Sequence, residues 1–246
     1  MTASTHGRNL THGVANSLGA AIVTGVYCAD NPIPNEADLC VQYRTSHSVV
    51  REAVKMLTAK GLLGSRPRRG TWVQPEADWN LLDPDVLGWL LERKYSPALL
   101  LEFTELRLAV EPVAAALAAR AAGPKEKAAI RAAIERMHAA ERGEDHPLDS
   151  DIAFHIAVLR ASRNRFYAQF TGFVATALSF SIRTTNRYKG VELASVADHQ
   201  RVADAILGGR PAVAEKAMRT LIEEAIELIN RRDAVQARRL SANERR

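Results

Sequence analysis

Apolar positions along this chain keep a helical spacing almost unbroken beyond residue 97, and only in short segments before residue 75. In PALLLEFTELRLAVEPVAAALAARAAG, leucine, phenylalanine, valine and alanine recur at helical spacing, stop at Gly123, and resume after Pro124 in KEKAAIRAAIERMHAAERGE. Runs of the same period follow in SDIAFHIAVLRAS, NRFYAQFTGFVATALSFSIRTT, VADHQRVADAILGG and PAVAEKAMRTLIEEAIELINRR, with Gly208, Gly209 and Pro211 separating the last two. The pattern predicts an all-α antiparallel helical bundle over residues 97–235.

Before residue 75 the segments are shorter. HGVANSLGAAIVTGVY predicts a first helix, IPNEADLCVQY a second opened by Pro34 and Asn35, and SHSVVREAVKMLTAKGLL a third with Thr45 and Ser46 as cap residues. LLGSRPRRGTWVQP follows, with the β-favouring Thr71, Trp72 and Val73 after a turn rich in arginine and glycine. Two short helices joined by a tight turn, then a basic hairpin, predict a winged helix-turn-helix over residues 8–75. A linker and connecting helix are expected over 76–96, and a disordered basic tail over 236–246. The fold class is mainly α.

A winged helix places the start of its third helix in the major groove, where side chains and backbone N–H groups meet bases and phosphates. Thr45, Ser46, His47, Ser48 and Arg51 lie at or near that end, and Arg66, Arg68 and Arg69 stand around Pro67, just before Gly70, where cationic side chains reach phosphate. Taken singly, Arg51 and Glu52 read equally well as local ion pairs and the arginines as a solvated hairpin tip. Their order within some thirty residues favours binding to double-stranded DNA.

Composition bounds the classes that remain. The 246 residues are 47% hydrophobic and 25% charged, enough for two cored domains. Cys28 and Cys40 form no CxxC pair, no apolar run approaches a bilayer span, and the N-terminus lacks a signal-peptide pattern, so a cytoplasmic protein without membrane contact is expected. The formal net charge is +5, but Arg231, Arg232, Arg238, Arg239, Arg245 and Arg246 concentrate much of the basic character near the C-terminus. Bulk charge is therefore weak evidence for nucleic acid. Asp151 and His155, one helical turn apart in SDIAFHI, read by spacing alone first as an ordinary surface ion pair, with half of a metal site or part of a ligand pocket as the alternatives.

IPNEADLCVQYRTSHSVVREAVKMLTAKGLLGSRPRRGTWV resembles the GntR-type winged-helix domain, which runs Pro-x-Glu-x-x-Leu, Ser-Arg-x-x-Val-Arg-Glu-Ala and Arg-x-Gly-Thr-x-Val. ELRLAVEPVAAALAARAA resembles the first long helix of the FCD effector domain of the FadR-like branch, and WNLLDPDVLGWLLE is similar to galactonate-responsive, DgoR-type repressors within it. The family commonly has arginine where this chain has His47, and often where it has Ala37. Losing a guanidinium there implies a different operator preference.

For the helical domain, the resemblance implies a buried pocket in which one Asp and three His hold a divalent metal, zinc being the leading choice. Asp151 and His155 match the Asp-x-x-x-His pair, His199 matches the second histidine, and Leu221 stands where the third is expected. Two readings stay open: a three-ligand metal site with a free position for an anionic effector, or a metal-free site in which Asp151, His155 and His199 hydrogen-bond the hydroxyls of a polyol acid. Structural polar groups of the core are a third. Arg107 occupies a position where the branch carries an arginine that clamps the effector carboxylate, or else pairs with Glu111 one turn on; Arg183 is a second candidate.

The expected function is a homodimeric transcriptional repressor of sugar-acid catabolism genes, released from operator DNA by a small hydroxy-carboxylate. Its alternatives are an activator that senses another organic acid, such as a dicarboxylate or uronate, a metalloenzyme without an evident general base, and an architectural DNA-binding protein.

Overall fold

The computed structural model describes residues 3–66, 70–93, 96–187 and 195–243, with side chains described over 10–66, 70–91, 96–179 and 195–231. The chain divides into two compact units, residues 1–94 and 95–246.

In the first unit, α1 (Ala3–Val23) is followed by α2 (Glu36–Gln42), α3 (His47–Ala59), the antiparallel strands β1 (Leu63–Arg66) and β2 (Gly70–Val73), and α4 (Pro84–Arg93). α1 begins earlier than the apolar period predicts. Asn35 opens α2 because its Oδ1 accepts the N–H groups of Ala37 and Asp38 at 2.9 and 3.0 Å, satisfying two otherwise orphaned donors. Ser46 is the N-cap of α3, but its hydroxyl contacts Ser48 Oγ at 2.9 Å rather than the backbone. On α3 the apolar stripe of Val50, Ala53, Val54 and Leu57 is buried, packing against α1, while Ser46, His47, Ser48 and Arg51 are exposed. The wing pairs Leu63 with Val73 and Arg66 with Gly70.

Residues 76–93, expected as a linker and connecting helix, pack onto this unit. Lys60 Nζ, at the end of α3, contacts Asp83 at 2.7 Å and Asp85 at 2.8 Å, and the Trp79 indole N–H donates to the Gln74 carbonyl. Trp89 of α4 donates its indole N–H to Asn16 Oδ1 at 2.7 Å and lies flat enough on Gly19 that any Cβ there would enter the ring. Gly61 turns α3 into β1 at φ +79°, with the Asp78 carbonyl where a side chain would be, so only glycine fits.

The second unit is helical: α5 (Pro97–Ala121), α6 (Pro124–Glu141), α7 (Pro147–Ala161), α8 (Arg165–Arg187), α9 (Val196–Leu207) and α10 (Pro211–Asn243). Four of these open with proline, whose fixed φ suits the first turn and whose missing N–H is unpaired there in any helix. α5 packs against α10, and Ala115, Ala118 and Ala119 of α5 are buried in one core with Ile130, Phe154, Val158, Ile206, Met218 and Ile222. Burying Phe154 completely contributes about 1.5–3 kcal/mol. α10 continues to Asn243, past residue 235 where a disordered tail was expected. The physical reason is local: beyond Pro211 this stretch has no glycine or proline, and it is rich in strong helix formers. No helix among the described residues is long and apolar enough to cross a membrane.

Candidate functional site

Helical periodicity brings Asp151 and His155 to one face of α7, and that face is turned inward: both residues are buried, beside the equally buried His199 of α9 and Arg107 and Glu111 of α5. Solvated surface pairing is thereby excluded. The sides of the cluster are aromatic. Phe154 meets the imidazoles of His155 and His199 edge-on, at 5.8 and 5.1 Å between centroids, and the Arg107 guanidinium lies 5.9 Å from the Phe103 ring centre.

Within this apolar shell the charged groups lie in direct contact. Arg107 Nε donates to Glu111 Oε1 at 2.5 Å, and Glu111 Oε2 lies 2.5 Å from His155 Nδ1. Arg107 Nη2 is 3.2 Å from both His155 ring nitrogens, a position shared between them rather than in line with either lone pair. Burial pushes the Glu111 carboxyl up, but the charges of Arg107 and His155 and the hydrogen bonds from both outweigh it and hold it at about 2. Burial acts on Asp151 in the same direction, and His199, His155 and Arg107 leave it below the usual carboxylate range.

Hydrogen bonding at His199 fixes where its lone pair points. Its Nδ1 lies 2.8 Å from the Ser195 carbonyl, which only accepts, so Nδ1 carries a proton and donates it there, and Nε2 is the nitrogen turned inward. That Nε2 lies 2.9 Å from Asp151 Oδ1 and 3.4 Å from His155 Nε2, while His155 Nε2 is 3.7 Å from the same oxygen. Asp151 Oδ1 is buried without a hydrogen-bond partner of its own beyond these contacts. A buried carboxylate oxygen facing two imidazole nitrogens is a donor set that suits a cation. Tetrahedral zinc, with ligands about 2.0–2.2 Å away, holds its donor atoms roughly 3.3–3.6 Å apart. The three separations bracket that range, so Asp151, His155 and His199 fit a metal ion.

Not every residue expected in this site falls within it in the same role. Arg107 is in the cluster, but its guanidinium is already engaged by Glu111. Leu221, on α10, packs with the hydrophobic core and offers no donor atom. Arg183 lies in α8, and its side chain is outside the described residues. Sequence reasoning treated Glu111 only as a possible partner of Arg107; the signal for more was an Arg-x-x-x-Glu pair embedded in an apolar and alanine-rich helix just before Pro112.

The first unit offers a separate surface. Ser46, His47, Ser48 and Arg51 are exposed at the start of α3, Thr45 is half-buried, and Arg51 Nε donates to Glu36 Oε2 at 2.8 Å. Arg66 is exposed at the end of β1, 6.0 Å from the Trp72 ring centre, and Gly70 turns into β2 at φ +81°. Pro67, Arg68 and Arg69 lie outside the described residues.

Comparison with known proteins matches both units. Residues 10–73 match the bacterial regulatory proteins of the gntR family, and residues 102–224 match the FCD domain. The galactonate operon transcriptional repressor of Escherichia coli (strain K12) is 34% identical over 217 residues, which cover 87% of this chain and 94% of that protein. The Glc operon transcriptional activator of the same organism is 30% identical over 217 residues, covering 84% and 83%. Among solved structures, Lar, which controls expression of the Listeria monocytogenes agr system, shares the fold at a TM-score of 0.52 and 17% identity, over 90% of this chain and 96% of its own.

Proposed function

This chain belongs to the gntR family of bacterial regulatory proteins, with an FCD domain behind its winged helix, and from that premise we propose that it represses genes of sugar-acid catabolism as a homodimer. It is a transcriptional regulator and not an enzyme. The effector in this reading is an aldonate of the galactonate type, bound in the helical unit at a divalent metal, best zinc, held by Asp151, His155 and His199.

The observation that carries the reading is the partnerless Asp151 oxygen facing two imidazole nitrogens in a buried cluster. Charge supports the same conclusion. One guanidinium stands against the two buried carboxylates of Glu111 and Asp151, so an anionic ligand beside them in a low-dielectric site is disfavoured without a further cation. When bound, a divalent ion supplies compensating charge and an open position for a carboxylate. This favours metal-dependent over metal-free recognition. Arg107, engaged by Glu111, orients the effector from the side instead of acting as its sole counter-charge.

On the DNA side, the exposed start of α3 reads the major groove through Ser46, His47, Ser48 and Arg51, and Arg66 of the wing reaches the phosphate backbone. Pairing two copies adds the discrimination of two half-sites. Release requires that the effector bind the DNA-incompetent arrangement better, with a coupling typically of about 1–3 kcal/mol. The repressor direction follows the galactonate relative; the similarity to an activator supports the opposite sign as a second reading.

A thermal-shift screen of aldonates and uronates, with and without chelator, tests the effector class. An aldonate should raise Tm in zinc-loaded protein and lose that effect in the chelator. If no aldonate or uronate shifts Tm under either condition, the proposal is wrong.

A further inference from the structure

A histidine ligates a metal through a nitrogen that has no proton, and the bond made by its other nitrogen decides which one that is. His199 uses a backbone carbonyl for this purpose, Ser195 O at 2.8 Å from Nδ1. His155 has no such carbonyl on Nδ1. What lies there is the side chain of Glu111, 2.5 Å away and reached from a different helix. Glu111 is in turn gripped by Arg107 from one turn earlier on α5, and every member of this chain of contacts is buried.

From these contacts we infer that Glu111 is a positioning residue of the metal site. Its carboxylate accepts the Nδ1–H of His155 and keeps the Nε2 lone pair turned toward Asp151 and His199. The inference rests on the metal reading proposed above. Arg107 completes the arrangement by matching the Glu111 charge, so the pair orients a ligand without adding net charge beside the metal. A carboxylate behind a ligating imidazole also raises its basicity, and removing such an outer partner typically weakens metal binding about 10–100-fold.

The plain alternative is that Glu111 serves only as the counter-ion of Arg107. Paired substitutions separate the two roles, because removing both charges leaves the net charge of the cluster as it is. Arg107→Met with Glu111→Leu takes away the ion pair and the acceptor; Arg107→Met with Glu111→Gln takes away the ion pair but keeps a carbonyl oxygen to accept the Nδ1–H. A buried ion pair replaced by apolar groups of similar volume is commonly tolerated, and circular dichroism verifies the fold.

Zinc affinity is measured on the full chain by competition with a chromophoric chelator. The expected result is an affinity at least tenfold weaker for the leucine pair, and within about threefold of the unsubstituted protein for the glutamine pair. Unsubstituted affinity in both variants overturns the inference and leaves the metal reading intact, as does equal weakening in both, which assigns the effect to the ion pair. Absence of zinc binding by the unsubstituted protein overturns the metal reading itself. A second measurement needs no substitution: imidazole nitrogen shifts of zinc-loaded protein should report the Nδ1–H tautomer for His155, and the Nε2–H tautomer contradicts the inference.

Discussion

Arg51 Nε lies 2.8 Å from Glu36 Oε2 in the winged-helix unit, and Arg107 Nε lies 2.5 Å from Glu111 Oε1 in the helical unit. Groups and distances are nearly the same; water separates the cases. The Arg51 and Glu36 side chains are 67% and 38% exposed, those of Arg107 and Glu111 only 6% and 1%. In solvent the ion pair is screened and costs little to break, so Arg51 can leave its carboxylate at little cost, as the proposed contact with DNA requires. In the core, losing one partner strands a desolvated charge, so the Arg107–Glu111 pair persists and acts as a fixed part of the site. The first pair is exchangeable; the second is framework.

Breaking that contrast should produce effects in a definite order. Glu111→Ala leaves Arg107 buried and unpaired, and urea unfolding should show a loss of about 3–5 kcal/mol. His199→Ala should fold but lose the stabilisation by metal, which for the unsubstituted protein amounts to about 2.7 kcal/mol at a zinc concentration 100 times Kd; thermal unfolding with and without zinc checks it. Arg51→Ala should lower operator affinity about tenfold, by fluorescence anisotropy, and leave the urea midpoint unchanged. Glu36→Ala should move neither the urea midpoint nor the affinity by as much. A stability loss for Glu36→Ala as large as that for Glu111→Ala would erase the distinction.

How much of this was legible in the sequence depends on the reach of each contact. Helix starts at Pro97, Pro124, Pro147 and Pro211 are local facts, and proline chemistry announces them. The Asp151–His155 spacing is equally local, whereas its burial is a property of the bundle. Glu111 was visible one turn from Arg107, yet its contact with His155 joins residues 44 apart, and helical spacing carries no information about that. The segment expected to link the domains is folded for the same kind of reason: Lys60 grips Asp83 from 23 residues away, and Trp89 reaches Asn16 from 73. At the C-terminus, charge suggested disorder, while the absence of helix breakers after Pro211 was the better guide to where α10 runs.

The central claim is that a buried metal makes the helical unit responsive to a sugar acid and that this response loosens the grip on DNA. Fluorescence anisotropy with a labelled fragment from upstream of the protein's own gene tests it most directly, using chelator-stripped and zinc-loaded protein titrated with galactonate. Galactonate should weaken operator binding by about 5–150-fold in the zinc-loaded protein and have no effect on the stripped protein. Equal release from both, or none from either, would contradict it.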